Sequence, residues 1–249
     1  MDLGNPIAMG NTAEIYLFQD KIIKLFNNNL PESESSYEAN KQSFAYSKGL
    51  CVPKILEVTR INGRQALVME YIKGRTVADI LLENRDQIEY YMNILVETQQ
   101  RIHKVDASPL ESMFERLARH IELTPYLEKK KKISILKRLE SMSRETKLCH
   151  GDYHFNNVIL SDDKVSIIDW VDSSSGDIRA DVFRTYLVCS QISNELADLY
   201  VNLYCNRSGL AKDEVFQWAP FVCAARLTEK VTQAQREQYL KLIEDNFFI

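Results

Sequence analysis

The chain has 249 residues and a mass of 28.9 kDa, which is enough for one large domain or two lobes with a substantial hydrophobic core. Its formal net charge of -4 at pH 7 and its pI near 5.7 argue against nonspecific binding to nucleic acid. No apolar stretch approaches the roughly 18 residues of a membrane span, and the first ten residues lack the pattern of a signal peptide. We therefore expect a cytoplasmic protein whose partners include neither nucleic acid nor membrane, and the sequence leaves its oligomeric state open.

The first predicted elements form a hairpin over residues 8–18, which read as strand, tight turn and strand. We place the turn at Gly10 and Asn11, because both residue types tolerate a positive φ. Gly10 is the one glycine of this loop, so little of the loop backbone has a glycine's freedom to approach a ligand closely.

A third strand is predicted over residues 21–26. Its alternation places Ile22, Lys24 and Phe26 on one face, so Lys24 points where its apolar neighbours point. A lysine in that position requires a polar partner. The other interpretation is a lysine at a sheet edge that faces water.

A helix is predicted over residues 35–48, followed by two strands over residues 53–60 and 64–71. Between those strands lie Asn62 and Gly63, which form the strongest short signal for a hairpin turn. Together with the three earlier strands they make a five-stranded antiparallel sheet.

The chain becomes predominantly helical after Gly74. The most basic predicted helix covers residues 128–144, and its apolar stripe of Ile133, Leu136 and Leu139 favours a solvated helix face over a nucleic-acid site. Beyond Asp181 the remaining chain is also predicted to be helical. Large side chains that would build its core are Phe183, Tyr186, Leu187, Trp218, Phe221 and Tyr239.

The most informative segment is HGDYHFNNVIL at residues 150–160, followed by IIDW at residues 167–170. Asp152 and Asn157 lie five positions apart in a loop, and the apolar strand over residues 165–168 returns Asp169 to the same end. Two carboxylates and an amide would then converge. Phosphoryl transfer needs this set of groups, because a divalent metal binds the phosphate oxygens while a carboxylate orients the acceptor hydroxyl.

The pattern HxDxxxxN, followed by an apolar strand that ends in Asp, resembles the catalytic core of the protein-kinase-like fold. The wording of both segments is most similar to the aminoglycoside phosphotransferase and choline kinase family, since protein kinases usually carry HRD and DFG there. The resemblance implies that Asp152 is the catalytic base and that Asn157 and Asp169 hold Mg²⁺. It also implies that His150 and His154 brace the loop.

The resemblance assigns roles to the first part of the chain as well. The hairpin with Gly10 and Asn11 would cover the nucleotide phosphates, and Lys24 would contact them. Glu38 in the predicted helix is our choice for the ion-pair partner of Lys24, with Glu32 and Glu34 as the competing choices.

The segment from Met69 to Gly74 resembles the hinge of the same family. Backbone groups of Glu70 and Ile72 would then meet the adenine edge, and the alternative is a strand that simply runs into a loop. We therefore predict an α+β, two-lobed protein-kinase-like fold. Residues 1–70 form a small antiparallel-sheet lobe that binds nucleotide, and residues 71–249 form a mainly helical lobe with the catalytic loop and the substrate site.

The predicted function is ATP-dependent transfer of the γ-phosphoryl group to a hydroxyl of a small molecule, with GTP as the alternative nucleotide. A cationic amino-alcohol or an aminoglycoside-like compound is the expected acceptor, and a neutral sugar or amino-alcohol is the second choice. Two other classes stay open, a nucleotide-binding pseudokinase and a protein kinase. The short stretch from Asp172 to Asp181 leaves little room for the activation loop of a protein kinase.

A cationic acceptor requires acidic or aromatic groups near the catalytic loop. The candidates are Asp172, Asp177, Trp170, Glu244 and Asp245, and the last two also fit plain surface carboxylates. Asp181 belongs to a GDxxxD segment that the family also has, and we assign it a structural role.

Five cysteines are scattered along the chain, namely Cys51, Cys149, Cys189, Cys205 and Cys223. Their number and spacing show neither a disulfide framework nor a CxxC metal motif. Cys149 precedes His150 directly, and a thiol nucleophile with a neighbouring base would use such a pair. Adjacent residues of an extended segment point to opposite sides, which disfavours that interpretation.

Overall fold

The structure is a computed structural model that describes residues 2–162 and 164–247. The strands, in chain order, are β1 Ala8–Met9, β2 Ala13–Phe18, β3 Lys21–Phe26, β4 Ile55–Ile61, β5 Arg64–Glu70, β6 Arg75–Thr76, β7 Lys147–Cys149, β8 Val158–Ser161, β9 Lys164–Ile167 and β10 Ser174–Gly176. The α-helices, in chain order, are α1 Glu34–Ser47, α2 Val77–Glu83, α3 Ile88–His103, α4 Met113–Leu123, α5 Lys129–Glu140, α6 Ile178–Ser190, α7 Asn194–Ser208, α8 Lys212–Phe216, α9 Ala219–Arg226 and α10 Gln233–Asp245.

The described chain forms two compact units. The first contains the described residues up to Arg85 together with Phe155–Asp172, and the second contains Asp86–His154 together with the described residues from Ser173 onward. The first unit therefore extends beyond residue 70 and includes a later piece of chain. The predicted functional boundary between residues 70 and 71 stays a prediction.

A five-stranded sheet dominates the first unit, and its order is β1-β2-β3-β5-β4 with antiparallel neighbours throughout. This confirms the predicted antiparallel sheet. The β4–β5 hairpin turns at Asn62 and Gly63, whose φ values are 50° and 83°. Both central residues thus adopt the positive φ of a tight hairpin turn.

The β1–β2 loop differs from its prediction. Positive φ values in this region occur at Gln19 and Asp20, in the β2–β3 turn, whereas Gly10 and Asn11 do not adopt them. The N–H of Gly10 donates to the carbonyl oxygen of Ala13 over 2.8 Å, so the turn spreads over four residues. The longer turn removes the need for a left-handed residue.

Helix α1 packs beside β4 and β5 in the first unit. Ala39 of this helix joins Ala13, Phe26, Leu67 and Met69 in one apolar cluster. A smaller sheet of β6, β8 and β9 completes this unit. Its central strand β8 follows Asn157 directly, and β9 ends two residues before Asp169.

The second unit is mainly helical, with β7 and β10 as a short antiparallel pair. Phe183, Leu187, Trp218, Phe221 and Tyr239 are buried as predicted. Within residues 2–162 and 164–247, no helix combines the length and apolar character that crossing a membrane requires.

The predicted apolar stripe of the basic helix is wrong at one position. Ile133 is 56% exposed, whereas Ile135 and Leu139 are fully buried. Ile135 and Leu139 are four residues apart and lie on one helix face, so the packed face of α5 is rotated away from Ile133.

Candidate active site

Lys24 and two carboxylates form a cluster in the first unit. The Nζ atom of Lys24 lies 2.7 Å from Oε1 of Glu38 and 3.1 Å from Oδ1 of Asp169. Strand β3 is flanked by β2 and β5, and Lys24 is only 8% exposed. The alternative of a lysine at a water-facing sheet edge is therefore wrong.

The electrostatics of this cluster favour a charged lysine. Burial alone would disfavour the ammonium, but the carboxylates of Glu38 and Asp169 outweigh it and raise the pKa of Lys24. Of the competing choices, Glu32 pairs with Arg60 instead, and Glu34 begins α1 one turn before Glu38. Helix α1 and strand β3 thus place Glu38 and Lys24 side by side.

Asp169 adopts a left-handed backbone conformation with a φ of 63°. Such a conformation is uncommon for residues with a side chain, and Asp and Asn adopt it more readily than most. Trp170 anchors the turn, because its indole N–H donates to the carbonyl oxygen of Ile167 over 3.1 Å. The side chain of Asp169 keeps 42% of its surface exposed.

Asn157 lies beside the segment that carries Asp169. The N–H of Ile168 donates to the carbonyl oxygen of Asn157 over 3.0 Å, within the first unit. The backbone at Asn157 and the backbone just before Asp169 are therefore neighbours, and the two residue types supply an amide and a carboxylate. Hard oxygen donors of this kind suit Mg²⁺, so the residues fit the metal that the sequence implies.

Asp152 belongs to the second unit, where basic side chains lie beside its carboxylate. Its Oδ1 lies 2.7 Å from Nη2 of Arg184, and its Oδ2 lies 3.3 Å from Nε2 of His154. Burial would raise the pKa of Asp152, but the hydrogen bond from His154 and the charge of Arg184 hold that pKa well below its usual range. The convergence of Asp152 with Asn157 and Asp169 stays a prediction.

Helix α6 braces the loop before Asp152. The buried carboxylate of Asp181 accepts from the N–H of Gly151 over 2.7 Å and from the N–H of His150 over 3.3 Å. It also bonds Nε2 of His103 over 2.9 Å, and Nδ1 of His103 bonds the hydroxyl of Tyr204 over 2.5 Å. Asp181 therefore has the structural role that its GDxxxD segment implied, and the network adds His103 and Tyr204, which the sequence did not indicate.

Cys149 lies beside this network, and it is not a nucleophile. It is fully buried, and burial raises the pKa of its thiol well above the usual range. Its Sγ, a nitrogen of His103 and an oxygen of Asp181 lie within 4.8 Å of one another. Because both nitrogens of His103 already have partners, this trio serves as a brace rather than an open metal site.

The predicted hinge begins with Met69 and Glu70, which are the last two residues of β5. The N–H of Glu70 donates to the carbonyl oxygen of Lys54 over 3.0 Å. Ile72 follows two residues later and is half-buried. Gly10 and Asn11 lie in the turn between β1 and β2, and both are exposed. The nucleotide contacts of all four residues stay predictions.

Two of the acceptor candidates are too deeply buried to contact an acceptor. Trp170 has no exposed surface, so it packs the interior rather than contacting an acceptor. Asp177 is 2% exposed, where it caps α6 and pairs with Arg179. Asp172 is half-buried, and Glu244 and Asp245 are exposed on α10.

The fold and these clusters define a kinase-like phosphotransferase. The model of the phosphotransferase enzyme family matches residues 4–216, which is most of the chain. The chain belongs to this family. The predictions of a kinase-like fold and of a small-molecule phosphotransferase are thereby confirmed.

Individual relatives agree with this membership. Protein LicA of Haemophilus influenzae is 26% identical over 208 residues, which cover 77% of this chain and 73% of the relative. Among solved structures, a ternary complex of aminoglycoside phosphotransferase APH(4)-Ia with ADP and hygromycin B has a TM-score of 0.64 at 12% identity, covering 97% of this chain and 87% of that one. A choline/ethanolamine kinase family protein from Mesorhizobium loti has a TM-score of 0.62 at 13% identity, covering 96% and 84%.

Proposed function

We propose that this phosphotransferase moves the γ-phosphoryl group of ATP to a hydroxyl of a small molecule. The observation that carries the proposal is the Lys24, Glu38 and Asp169 cluster, because packing alone does not require a buried lysine between two carboxylates. The solved relative with bound ADP supports ATP as the nucleotide. GTP is the alternative donor.

The reaction exchanges one P–O bond for another. The bond from the γ-phosphorus to the β-γ bridging oxygen breaks, the acceptor oxygen bonds the same phosphorus, and the proton of the hydroxyl passes to the carboxylate of Asp152. Lys24 holds the nucleotide phosphates, and Glu38 holds Lys24 in place. Asn157 and Asp169 would hold Mg²⁺, which neutralises phosphate charge when it is bound.

The proposed acceptor is a cationic amino-alcohol or an aminoglycoside-like compound. The relative bound to hygromycin B and the choline/ethanolamine kinase family protein support this class. The charge of Asp152 is already balanced by Arg184, so recognition of a cation would need a further carboxylate. Asp172 is the remaining candidate near the catalytic segments in sequence.

Turnover with Mg²⁺, ATP and a panel of matched cationic and neutral alcohols tests the proposal, with protein substrates as the control. We expect phosphorylation of small alcohols, with a Michaelis constant for cationic ones that rises with ionic strength. A preference for neutral acceptors without salt dependence would contradict the cationic class. Absence of any transfer by the folded protein would favour a nucleotide-binding pseudokinase.

Asp152→Ala separates chemistry from nucleotide binding. Asp152 addresses the acceptor hydroxyl, so turnover should fall by roughly 10²–10⁴-fold while ATP affinity changes little. Equilibrium binding of ATP and steady-state turnover of the same preparation measure the two effects. A parallel collapse of ATP affinity in a folded variant would make Asp152 a nucleotide or metal ligand.

A further inference from the structure

Arg184 clamps the residue pair at the tip of the catalytic loop. Its Nε donates to the carbonyl oxygen of Gly151 over 3.0 Å, and its Nη2 donates to Oδ1 of Asp152 over 2.7 Å. One guanidinium thus binds both the backbone of Gly151 and the carboxylate of Asp152. The planar fork of arginine suits two such bonds, whereas the ammonium of lysine is a compact point charge.

Two side chains of α6, including Arg184, form hydrogen bonds with this loop. Asp181, three residues earlier on α6, accepts from the N–H of Gly151, while Arg184 donates to the carbonyl of the same residue. Gly151 itself has a φ of 82°, a conformation that glycine adopts without strain. Asp181 and Arg184, three positions apart on α6, therefore bind the N–H and the carbonyl of Gly151. These two bonds leave the next residue, Asp152, little freedom to reorient.

Arg184 is also placed where its charge acts strongly. The residue is 8% exposed, and the side chain of Asp152 is 31% exposed, so solvent screens the pair only in part. The other ionisable groups near Asp152 include His150 and His154 from the loop and Asp181 from α6. The guanidinium of Arg184 stays charged at every working pH.

We propose that Arg184 is a positioning residue, which holds the carboxylate of Asp152 in the orientation that meets the acceptor hydroxyl. This inference rests on the proposed function. Asp152 then acts mainly as an oriented hydrogen-bond acceptor, and it takes the proton late, when the new P–O bond is largely formed. A loose transition state for phosphoryl transfer has little need of a strong base.

The test uses two neutral replacements, Arg184→Met and Arg184→Gln, with Arg184→Lys as the variant that keeps the charge. Carbon NMR titration of selectively labelled aspartate measures the pKa of Asp152, and Asp152→Asn assigns its signal. Loss of a neighbouring opposite charge should raise that pKa by about 1–3 units in either neutral variant. Arg184→Lys should retain most of the depression. Arg207→Met, at an exposed arginine of the same unit, is the matched control and should change nothing.

Kinetics supply the second readout. The pKa of Asp152 is depressed in the wild type, so the acidic limb of the kcat profile should move to higher pH in Arg184→Gln. A carboxylate displaced by about 1 Å costs on the order of a hundredfold in rate, and we expect a loss of that size in kcat with little change in the KM for ATP. A purely structural arginine would lower activity without moving the acidic limb.

The outcomes separate the inference from the proposed function. An unchanged Asp152 pKa in a folded neutral variant overturns the role of Arg184, even if the wild type phosphorylates small alcohols. Wild-type protein without transfer activity overturns the proposed function, while the titration still decides whether Arg184 controls Asp152. If Arg184→Met does not fold, Arg184→Gln decides the matter, because its amide keeps hydrogen-bond donors without the charge.

Discussion

Asp169 has a left-handed backbone conformation, and its carboxylate pairs with Lys24. A left-handed conformation costs on the order of 1–3 kcal/mol at most residues, and Asn tolerates it about as well as Asp. Asp169→Asn should therefore keep the fold while it removes one carboxylate from Lys24 and from the proposed metal site. We expect transfer to be abolished, with a free energy of unfolding within about 1 kcal/mol of the wild type.

Steady-state turnover and urea unfolding of the same preparation measure the two quantities. Lys24→Ala is the comparison, because it should also weaken transfer strongly but leaves Glu38 buried without its cation, at a cost of roughly 3–5 kcal/mol. Wild-type turnover in folded Asp169→Asn would remove Asp169 from the metal role.

At the residue scale, the sequence indicated the groups that belong to a motif and missed those that act across long separations. Lys24 stood out because it shares a strand face with apolar residues, and Asp152 stood out through its spacing from Asn157. His103 and Arg184 gave no such signal. Their partners Asp181 and Asp152 lie 78 and 32 residues away in the chain, so only the tertiary fold brings them together.

At the element scale, local turn chemistry predicted boundaries well. Strand β3 has the predicted limits, and α1 is shifted by one residue from residues 35–48 to Glu34–Ser47. Helix α5 was harder to orient, because the stripe through Ile133 and the face with Ile135 are both compatible with helical spacing. Packing against the rest of the second unit decides between them, and periodicity contains no information on that packing.

Gly74 provides a test of the connection between the predicted hinge and strand β6. A Cβ atom at this position would lie 2.4 Å from the carbonyl oxygen of Leu160 and 2.7 Å from Cγ2 of Ile159. Backbone atoms cannot move aside as easily as the end of a side chain, so Gly74→Ala should lower the free energy of unfolding by about 1–3 kcal/mol.

Gly10→Ala is the matched control, since its Cβ would meet only the carbonyl oxygen of Ala13, at 3.5 Å. Urea unfolding should place this control within about 0.5 kcal/mol of the wild type. Equal stability of both variants would show that β6 and β8 can separate without cost.

At the scale of the whole molecule, stability at low pH should depend on Asp181. Burial opposes the charge of this carboxylate, but hydrogen bonds from His103 and the N–H of Gly151 outweigh it and lower the pKa of Asp181 to about 2. The carboxyl of an unfolded chain has a pKa near about 3.9. The folded state thus binds its proton less readily, so Asp181 stabilises the fold above about pH 4, and this contribution is lost as the pH falls towards about 2.

The contribution is on the order of 2 kcal/mol, and Asp181→Asn should remove its dependence on pH. Guanidinium unfolding at several pH values between about 6 and 3 measures the slope of the unfolding free energy against pH. We expect a shallower acid slope in Asp181→Asn than in the wild type, because the unfolded state no longer takes up this proton in preference to the folded state. Asp198→Asn, at a half-exposed aspartate of α7, is the control and should keep the wild-type slope. Parallel slopes in the wild type and Asp181→Asn would show that the brace beneath the catalytic loop does not depend on the charge of Asp181.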